Sequence, residues 1–188
     1  AQDSTPSGIA WNNDGSRLYE IGFGDAKIYQ YSLSTPFDIT SASFSTSINA
    51  QDLTCMGIKW NNDGSRLYEV GQAGDKIYQS TVSTPFDITS ASFSTSIDAQ
   101  DSSPRGIAWN DDGSRLYVAG AGAERILQFS LSTPFDITSA SFSTSINAQD
   151  TSPQGIAWND DGSRLYEVGD VGGRIFESNL IEVKWETI

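Results

Sequence analysis

Hydrophobic and polar residues alternate along this chain in short runs, and the whole pattern returns every 49 residues. The β-branched and aromatic side chains occur in runs of five to seven residues, which Asp-Gly, Gly-rich or Pro-containing segments separate. Such runs are typical of β-strands joined by tight turns, and no helical spacing of apolar residues accompanies them. The repeat is marked by the motif Trp-Asn-(Asn/Asp)-Asp, which begins at Trp11, Trp60, Trp109 and Trp158.

Each repeat is predicted to contain four strands, named A to D. In the first repeat strand A covers residues 8–12, strand B 17–22, strand C 27–33 and strand D 42–48. An Asp-Gly turn joins strands A and B, because glycine adopts the positive φ of such a turn at no steric cost. Pro36 ends strand C, since proline cannot donate a hydrogen bond to a central ladder. The chain is therefore predicted to consist of antiparallel hairpins.

Strand D shows its own alternation. Phe44, Thr46 and Ile48 are predicted to lie on one side of the sheet, and the intervening serines on the other. The fourth repeat lacks the sequence block that contains this strand. Residues 183–188 alternate in a similar way, so we expect them to form strand D of the fourth repeat.

A four-stranded meander that recurs at this spacing cannot bury both sides of its sheet alone, so the copies must pack face to face around an axis. The predicted fold is an all-β β-propeller of four-stranded antiparallel blades, built from four 49-residue repeats. Residues 1–188 form a single domain, with blades at 1–49, 50–98, 99–147 and 148–188. A stacked solenoid is the rival fold, but solenoid coils are usually shorter and lack three tight turns per repeat.

The ring can close in two ways. Four blades can close within one chain, or two chains can form a homodimer that shares an eight-bladed ring across a two-fold axis. We expect closure within one chain. The homodimer stays open as the alternative, because an open array would expose two apolar blade faces, which soluble monomers avoid. The sequence also allows the chain to be part of a longer repeat protein.

The sequence resembles a known class of propeller. Gly-Ile-Ala-Trp-Asn-Asn-Asp-Gly-Ser-Arg-Leu-Tyr at 8–19, followed by Gly-x-Gly-Asp-x-Lys-Ile-Tyr, is similar to blades of the Tyr-Val-Thr-Asn (YVTN) propellers and, more distantly, of Trp-Asp repeat propellers. The block Thr-Pro-Phe-Asp-Ile-Thr-Ser-Ala-Ser also resembles repetitive propellers of marine bacteria and phages. These resemblances imply a propeller fold and a surface, tail or adhesion role. The Gly-His and Trp-Asp pairs of Trp-Asp repeats are missing, so their hydrogen-bond network is not expected.

Composition narrows the choice of partners. The chain has 24 acidic and 11 basic residues, and a net charge of -13 would repel a phosphate backbone, so no nucleic acid is expected as a partner. No apolar run reaches the ~20 residues of a membrane-spanning helix, so we expect no membrane insertion. Cys55 is the only cysteine, which rules out an intrachain disulfide or a Cys-based zinc cluster.

We expect neither a cofactor nor a metal. The Asn-Asp-Asp-Gly turn at 110–113 clusters oxygen donors beside a glycine, which invites a calcium interpretation. Its spacing does not match the alternating Asp-x-Asp-x-Asp-Gly loop, and a plain hairpin turn accounts for the same residues.

The repeats differ from one another mainly in two segments. These are the linker from strand D to strand A and the loop from strand B to strand C, whereas the other two connections are nearly constant. Successive turns of a meander alternate between the two ends of the strands, so the two variable segments share one end. Loops on a rigid scaffold often carry function, which makes this end the candidate binding surface. Free drift of surface loops is the alternative explanation.

The candidate ligand-binding residues lie in these segments or early in strand C. Aromatic rings there can stack on sugars and carboxylates can accept hydroxyl hydrogen bonds, so the leading hypothesis is lectin-like glycan recognition with avidity from repeated sites. The alternatives are a purely structural scaffold or a protein–protein interaction module. The candidates are Asp25, Lys27, Tyr29, Asp75, Lys76, Tyr78, Arg105, Glu124, Arg125, Gln154, Asp170 and Arg174.

No catalytic residues are predicted, and we do not expect an enzyme. The chain contains no histidine, and Cys55 is expected to be an apolar filler. The strand-A tryptophans are expected to fill the core between blades. Glutamates recur on strand B, and a carboxylate pair suits glycoside hydrolysis, so a hydrolase or lactonase is the less favoured alternative. We expect Glu20, Glu69 and Glu167 to line an axial channel or to pair with Lys27, Lys76 and Arg174.

Overall fold

The computed structural model describes residues 1–159 and 161–179. Each repeat forms its own antiparallel sheet, with four strands in blades 1 to 3 and three described strands in blade 4, in the order of the sequence. This arrangement confirms the predicted all-β propeller architecture. Blade 1 contains β1 (Pro6–Trp11), β2 (Arg17–Gly22), β3 (Lys27–Leu33) and β4 (Ala42–Asn49).

The later blades repeat this pattern. Blade 2 contains β5 (Cys55–Trp60), β6 (Arg66–Gly71), β7 (Lys76–Val82) and β8 (Ala91–Asp98). Blade 3 contains β9 (Pro104–Trp109), β10 (Arg115–Gly120), β11 (Arg125–Leu131) and β12 (Ala140–Asn147). Blade 4 contains β13 (Pro153–Trp158), β14 (Arg164–Gly169) and β15 (Ile175–Asn179). The strand predicted at 183–188 lies outside the described residues.

The predicted bounds of strands B and C agree with β2 and β3, whereas strand A begins earlier, at Pro6. A 3-10 turn that was not predicted precedes strand D in each of blades 1 to 3, at Ile39–Ser41 in the first. The Asp38 side chain caps this turn by accepting a 2.9 Å hydrogen bond from the Thr40 N–H. The Asp-Ile-Thr-Ser sequence of the shared block is thus a cap followed by one helical turn.

The predicted alternation of strand D is wrong at one point. Pairing between β3 and β4 shifts there, so that Gln30 opposes Thr46 but Tyr31 opposes Phe44. Ser45 is the extra residue of a β-bulge, and a bulge reverses the sides on which the following residues lie. Phe44 therefore packs edge-on against Tyr31 with ring centroids 6.2 Å apart, on the side of the sheet opposite to Ile48.

Each blade has two faces, which we name by the neighbouring blade that they meet in the array. The front face meets the following blade and in blade 1 carries Tyr19, Ile21 and Ile28. The back face meets the preceding blade and in blade 2 carries Trp60 and Ile88. These residues form one apolar cluster between blades 1 and 2, and the equivalent residues form a second cluster between blades 2 and 3. The core is thus divided into layers between successive sheets.

Trp60, Trp109 and Trp158 lie in layers between blades, as expected, whereas Trp11 lies on the back face of blade 1 and packs against Phe37 of the same blade. The Trp60 ring centroid is 4.9 Å from that of Tyr19 in the preceding blade and 5.4 Å from that of Phe86 in its own. Trp109 and Tyr68 repeat the contact at 4.8 Å. Tilted aromatic pairs at this separation are favourable contacts beyond their burial, and they leave these rings unavailable for stacking on a ligand.

Hydrogen bonds from side chains to backbone groups join blade 1 to blade 2, and blade 2 to blade 3, at the edge of the layer between them. Arg17 Nη1 donates a 2.7 Å hydrogen bond to the Phe86 carbonyl, to which the Tyr19 hydroxyl also donates. The Ile88 N–H donates to Gln30 Oε1 at 3.1 Å. The corresponding bonds between blades 2 and 3 involve Arg66, Tyr68 and Gln79 on one side and Phe135 and Ile137 on the other.

The innermost strands are β1, β5, β9 and β13, whose backbones approach one another closely around the axis. A Cβ atom at Gly57 would lie 2.5 Å from the carbonyl oxygen of Arg105, and one at Gly106 would lie 2.9 Å from the Cα of Gly155. No side chain fits at such distances, so glycine is required where strand A of one blade passes strand A of the next.

The blade array is open at both ends. On the back face of blade 1, Ile39 is 67% exposed, whereas Ile88 and Ile137 at the same repeat position are fully buried. On the front face of blade 4, Ile175 is 77% exposed, whereas Ile28 is fully buried. Among the described residues, therefore, these two faces do not cover each other. The described residues therefore do not show the expected closure of four blades within one chain.

No helix within residues 1–159 and 161–179 has the length and apolar character to cross a bilayer.

Candidate functional site

The two variable segments meet at one end of the strands, as predicted, and we call this the variable end: residues 1–5 and 23–26 in blade 1 with their repeat equivalents. Asp3 links the two segments. Its buried carboxylate accepts hydrogen bonds from the N–H of Thr5 at 2.7 Å, of Gly24 at 3.1 Å and of Asp25 at 3.1 Å. Burial alone would raise the pKa of Asp3, but these N–H groups hold it below its ordinary value.

The same anchor recurs in every blade. Asp52, Asp101 and Asp150 are buried, and each accepts bonds from its own linker and from the loop between strands B and C. The donors from the loops between strands B and C are backbone N–H groups, so the support does not depend on the side chains of these loops. Sequence analysis did not single out these aspartates. The signal was available, since one Asp remains constant beside each variable linker.

The strand-B glutamates have a different role from the one predicted. Glu20 is buried and accepts bonds from the N–H of Gln2 at 3.1 Å and of Asp3 at 3.0 Å, and from the Tyr31 hydroxyl. Glu69 and Glu167 receive linker N–H groups in the same way. They neither line an axial channel nor form ion pairs with Lys27, Lys76 and Arg174 within the described part of the chain. The linker folds over the back face and covers them.

Burial has an electrostatic consequence at Glu69. Desolvation raises the pKa of this carboxyl to about 7, and nearby Asp52 acts in the same direction, while the bond from the Gln51 N–H opposes both. The group therefore titrates near neutral pH while its side chain supports the linker.

In blade 3 the linker is held without a strand-B glutamate. Val118 occupies this position, and the linker changes conformation so that Gln100 has a φ of 59°. Its N–H then bonds to Asp98 Oδ1 at 2.7 Å instead of reaching strand B. Asparagine stands at the position of Asp98 in blades 1 and 3, as Asn49 and Asn147. The two sequence differences thus belong to one local rearrangement.

The candidate residues of blade 1 include one exposed carboxylate and one covered ring. Asp25 is exposed at the loop tip, and its Oδ2 accepts a 2.7 Å hydrogen bond from the Tyr29 hydroxyl. Burial, together with this bond, raises the pKa of Tyr29 to about 12. Tyr29 is 5% exposed, which removes its ring from consideration as a stacking platform. Lys27 beside it is half-buried.

In blade 2 the same loop is arranged differently. Gly74 stands where blade 1 has Asp25, and the Tyr78 hydroxyl donates to Asp52 Oδ2 at 3.0 Å instead. Burial raises the pKa of Tyr78 to about 12. Asp75 is half-buried at a φ of 52°, and Lys76 is exposed.

The candidates of blades 3 and 4 are mostly solvent-facing. Glu124 is exposed at a φ of 56°, and Asp170 and Arg174 are exposed as well. Arg125 donates a 3.0 Å bond to the Ser145 hydroxyl. The predicted residues therefore surround the variable end as separate loops and do not converge in one pocket.

Two of the candidates do converge at the axis. Arg105 and Gln154 line a cavity of about 190 Å³ together with Ser7 and Met56. All four residues occupy the same repeat position, one per blade, next to the close-approach glycines. Ser7 and Met56 directly precede the predicted strand A of blades 1 and 2, but the sequence analysis did not bring these four residues together. Their spacing of 49 residues was the signal.

A second axial cavity, of about 200 Å³, lies further along the inner strands between blades 2 and 4. Lys59 reaches it from β5, where the other blades have alanine, and desolvation lowers the pKa of its ammonium group. Trp60, Trp109 and Trp158 also line it, and their indole N–H groups are buried without a partner among the described residues. Sequence analysis did not consider Lys59.

An exposed aromatic side chain was also missed. Phe23 is 44% exposed in the loop that carries Asp25, whereas the other blades have Gln72, Ala121 and Asp170 at this position. An aromatic ring beside a carboxylate on an exposed loop is suited to contact a ligand that has both apolar and hydroxyl groups. The signal was an aromatic residue in a segment otherwise rich in Gly and Asp.

Chemistry at Cys55 is suppressed by its position. The thiol is fully buried, as expected of an apolar filler, and its Sγ donates to the Asp52 carbonyl at 2.6 Å. Desolvation raises the pKa of the thiol to about 12, so almost no thiolate is present at neutral pH. Across the residues that the structure describes, no three His, Cys, Asp or Glu side chains form a group that could hold a metal ion.

The architecture is similar to that of several solved structures. A functionally unknown protein from Desulfotomaculum acetoxidans matches with a TM-score of 0.67 at 14% identity, covering 99% of this chain and 56% of that one. A candidate 6-phosphogluconolactonase from Bacteroides uniformis gives 0.66 at 13%, covering 100% and 57%. The β-propeller domain of Cps50 (Swd1) from Myceliophteria thermophila gives 0.61 at 11%, covering 92% and 52%.

This chain therefore spans little more than half the length of the structures it matches. No protein-family model matches the sequence, and no curated protein is similar to it. At such low sequence identity the likeness concerns the fold and not the activity. By fold, the chain is a β-propeller.

Proposed function

We propose that the chain is a non-enzymatic binding module that recognises neutral glycans at its variable end. The observation that carries the proposal is the pair of exposed side chains on one loop, Phe23 and Asp25. The ring can stack on the C–H face of a sugar. The Asp25 carboxylate receives a bond from Tyr29 at one oxygen, and a carboxylate has capacity for further hydroxyl donors.

The construction of the variable end supports the same proposal. The loops are held by buried carboxylates that bond to backbone N–H groups, so their exposed side chains are free to differ. Binding sites gain affinity when the protein does not have to order a loop during association. Because the loop has the same backbone support in every blade, weak contacts at several blades can act together on a branched or polymeric ligand.

Charge selects among ligands. The net charge of -13 disfavours acidic polymers, and the exposed Asp25, Glu124 and Asp170 place negative groups at the loop tips themselves. Neutral sugars avoid this repulsion while still using the carboxylates as hydrogen-bond acceptors. The proposed ligand class is therefore an uncharged oligosaccharide.

The absence of catalysis is part of the proposal. The chain has no histidine, the Cys55 thiol is buried, and Glu20, Glu69 and Glu167 hold the linkers. A structurally similar protein is described as a candidate 6-phosphogluconolactonase. We expect this chain to hydrolyse neither 6-phosphogluconolactone nor a panel of ester, lactone and glycoside substrates, and turnover of any of them would refute the non-enzymatic assignment.

A glycan array tests the binding proposal. We expect saturable binding to neutral glycans that is lost in Phe23→Ala and weakened at least tenfold in Asp25→Asn. The matched control is Phe93→Ala, because Phe93 is 50% exposed on the outer strand β8, away from the variable loops. Equal losses in Phe23→Ala and Phe93→Ala would contradict the site. No binding across the array by the folded protein would leave a protein-interaction scaffold as the better interpretation.

A further inference from the structure

The two ends of the blade array present opposite halves of one interface. Blade 1 exposes its back face, where Ile9, Leu18, Tyr31, Ile39 and Phe44 line a groove of about 570 Å³. In blade 2 the equivalents of Ile9 and Leu18 are buried against blade 1, and the equivalent of Ile39 is fully buried. Among the described residues, blade 1 thus exposes the half-interface that in blades 2 and 3 receives the preceding blade.

Blade 4 exposes the complementary half. Val168 and Ile175 oppose each other across β14 and β15, and both are exposed. Their equivalents in blade 1, Ile21 and Ile28, are fully buried against blade 2. An apolar face of this kind on the surface of a soluble protein marks an interaction site.

The polar groups of the two ends also correspond. Between blades 1 and 2, the Arg17 and Tyr19 side chains donate to the Phe86 carbonyl, and Gln30 accepts the Ile88 N–H. Blade 4 has Arg164, Tyr166 and Glu177 at the three donor and acceptor positions. Blade 1 has Phe37 and Ile39 at the positions of Phe86 and Ile88.

The correspondence extends to charge. Arg66 lies 3.6 Å from Asp136 across the joint between blades 2 and 3. The same positions at the two ends are Arg164 on blade 4 and Asp38 on blade 1. Glu177 replaces the glutamine of the other joints, and its carboxylate can accept the Ile39 N–H as the amide oxygen does. In the single chain, Arg164 Nη1 lies 3.1 Å from Glu177 Oε1, and the two form an ion pair within blade 4.

We propose that a second copy of this chain covers both faces, with the front face of blade 4 in each protomer packed on the back face of blade 1 in the other. The internal joints between blades 1 and 2 and between blades 2 and 3 already show how these faces fit. A head-to-tail interface closes into a ring when the rotation it imposes completes a circle. Two chains of four blades then give an eight-bladed ring whose axis carries Ser7, Met56, Arg105 and Gln154 twice.

This inference does not depend on glycan binding, because it follows from the blade faces alone. Light scattering on the full chain should give twice the chain mass of 20.3 kDa over a wide range of concentrations. A mass that stays at 20.3 kDa would overturn the proposal. A mass that keeps growing with concentration would overturn ring closure, since it would indicate an open polymer.

Three variants test the geometry. Ile39→Asp and Ile175→Asp each place a carboxylate in one half of the interface, and each should weaken the dimer at least roughly a hundredfold, because the charge would be buried without a partner. Both residues are exposed in the single chain, so folding should be retained, which circular dichroism checks. Leu53→Asp is the matched control on an equally exposed residue of a linker, and it should remain dimeric.

Mixing the two interface variants distinguishes this arrangement from a symmetric one. Ile39→Asp keeps an intact blade 4 face and Ile175→Asp keeps an intact blade 1 face, so the mixture should recover a one-to-one heterodimer through one native joint. A dimer that Ile175→Asp leaves intact would overturn the head-to-tail geometry, because it would show blade 1 packed against blade 1. Failure of the mixture to associate would also overturn it.

Discussion

The backbone N–H of Ile88 donates a buried 3.1 Å hydrogen bond to Oε1 of Gln30, a side chain of the preceding blade. The same bond joins Ile137 to Gln79 at 3.0 Å in the next pair of blades. In both cases a side chain of one blade satisfies the first N–H of the 3-10 turn in the following blade. Because the bond is buried, removal of the acceptor leaves an N–H group without water or protein to bind.

Gln79→Leu should therefore destabilise the protein by ~1–3 kcal/mol, the cost of one unsatisfied buried N–H. Urea denaturation followed by tryptophan fluorescence measures the change. Gln51→Leu is the control, because Gln51 is exposed in a linker and a surface substitution of this kind changes stability by less than about 0.5 kcal/mol. Similar losses in both variants would contradict a specific role for the joint.

Glu69→Gln should change how stability depends on pH. Burial raises the pKa of Glu69 from 4.5 to about 7, so the folded state favours the protonated carboxyl. Its stabilising contribution is complete below pH 4.5 and is lost as the pH rises through about 7. The variant, which cannot ionise, should gain up to ~3 kcal/mol relative to the parent chain over this interval.

The measurement is the difference in free energy of unfolding between the two proteins at a series of pH values across this interval. A constant difference would show that Glu69 titrates alike in the folded and unfolded chains. The amide retains an oxygen that can accept the Gln51 N–H, so the comparison isolates the charge.

Gly64→Ala should be far more damaging than Gly162→Ala. Both glycines have positive φ, of 72° and 66°, so both substitutions pay ~1 kcal/mol of backbone strain. A Cβ at Gly64 would also lie 2.4 Å from the Phe86 ring, whereas one at Gly162 meets no atom of residues 1–159 or 161–179 within 4 Å. We expect an additional loss of ~1–3 kcal/mol in Gly64→Ala, from the forced displacement of that ring. Equal midpoints of thermal unfolding would argue against the contact.

Gln100→Gly should stabilise the chain by up to ~1 kcal/mol, because Gln100 has a φ of 59° that glycine adopts without strain. Gln51→Gly, at the same repeat position in blade 2, should instead destabilise it by ~0.5–1 kcal/mol through the entropy of the unfolded chain. Opposite signs for one substitution at two equivalent positions would confirm the rearranged linker of blade 3. The same sign in both would contradict it.

Much of the fold could be predicted from the sequence because alternation and turn residues act locally. The bounds of β2 and β3 follow from runs that start after Gly15 and after the loop at 23–26. The sides of strand D could not be predicted, because the bulge at Ser45 arises only when β4 pairs with β3. The alternation of polar and apolar residues in the sequence of a bulged strand is the same as in a regular strand, so the sequence does not reveal the bulge.

The site was predicted only in part, for a related reason. The variable end follows from the alternation of turns, but the role of Glu20 depends on a linker that folds back over the sheet. Tyr29 looked available for ligand stacking, yet its burial depends on the bond to Asp25 and on the strands around it. The exposure of Ile39 and Ile175 depends on whether another blade covers them, which no single repeat specifies.

The joints between blades have a consequence for how such a chain can change. Arg17, Tyr19 and Gln30 bond to the main chain of the following blade, and the side chains of that blade take no part in these bonds. Any further copy of the repeat would offer the same carbonyl and the same N–H. These hydrogen bonds therefore place no demand on the side chains of an added repeat.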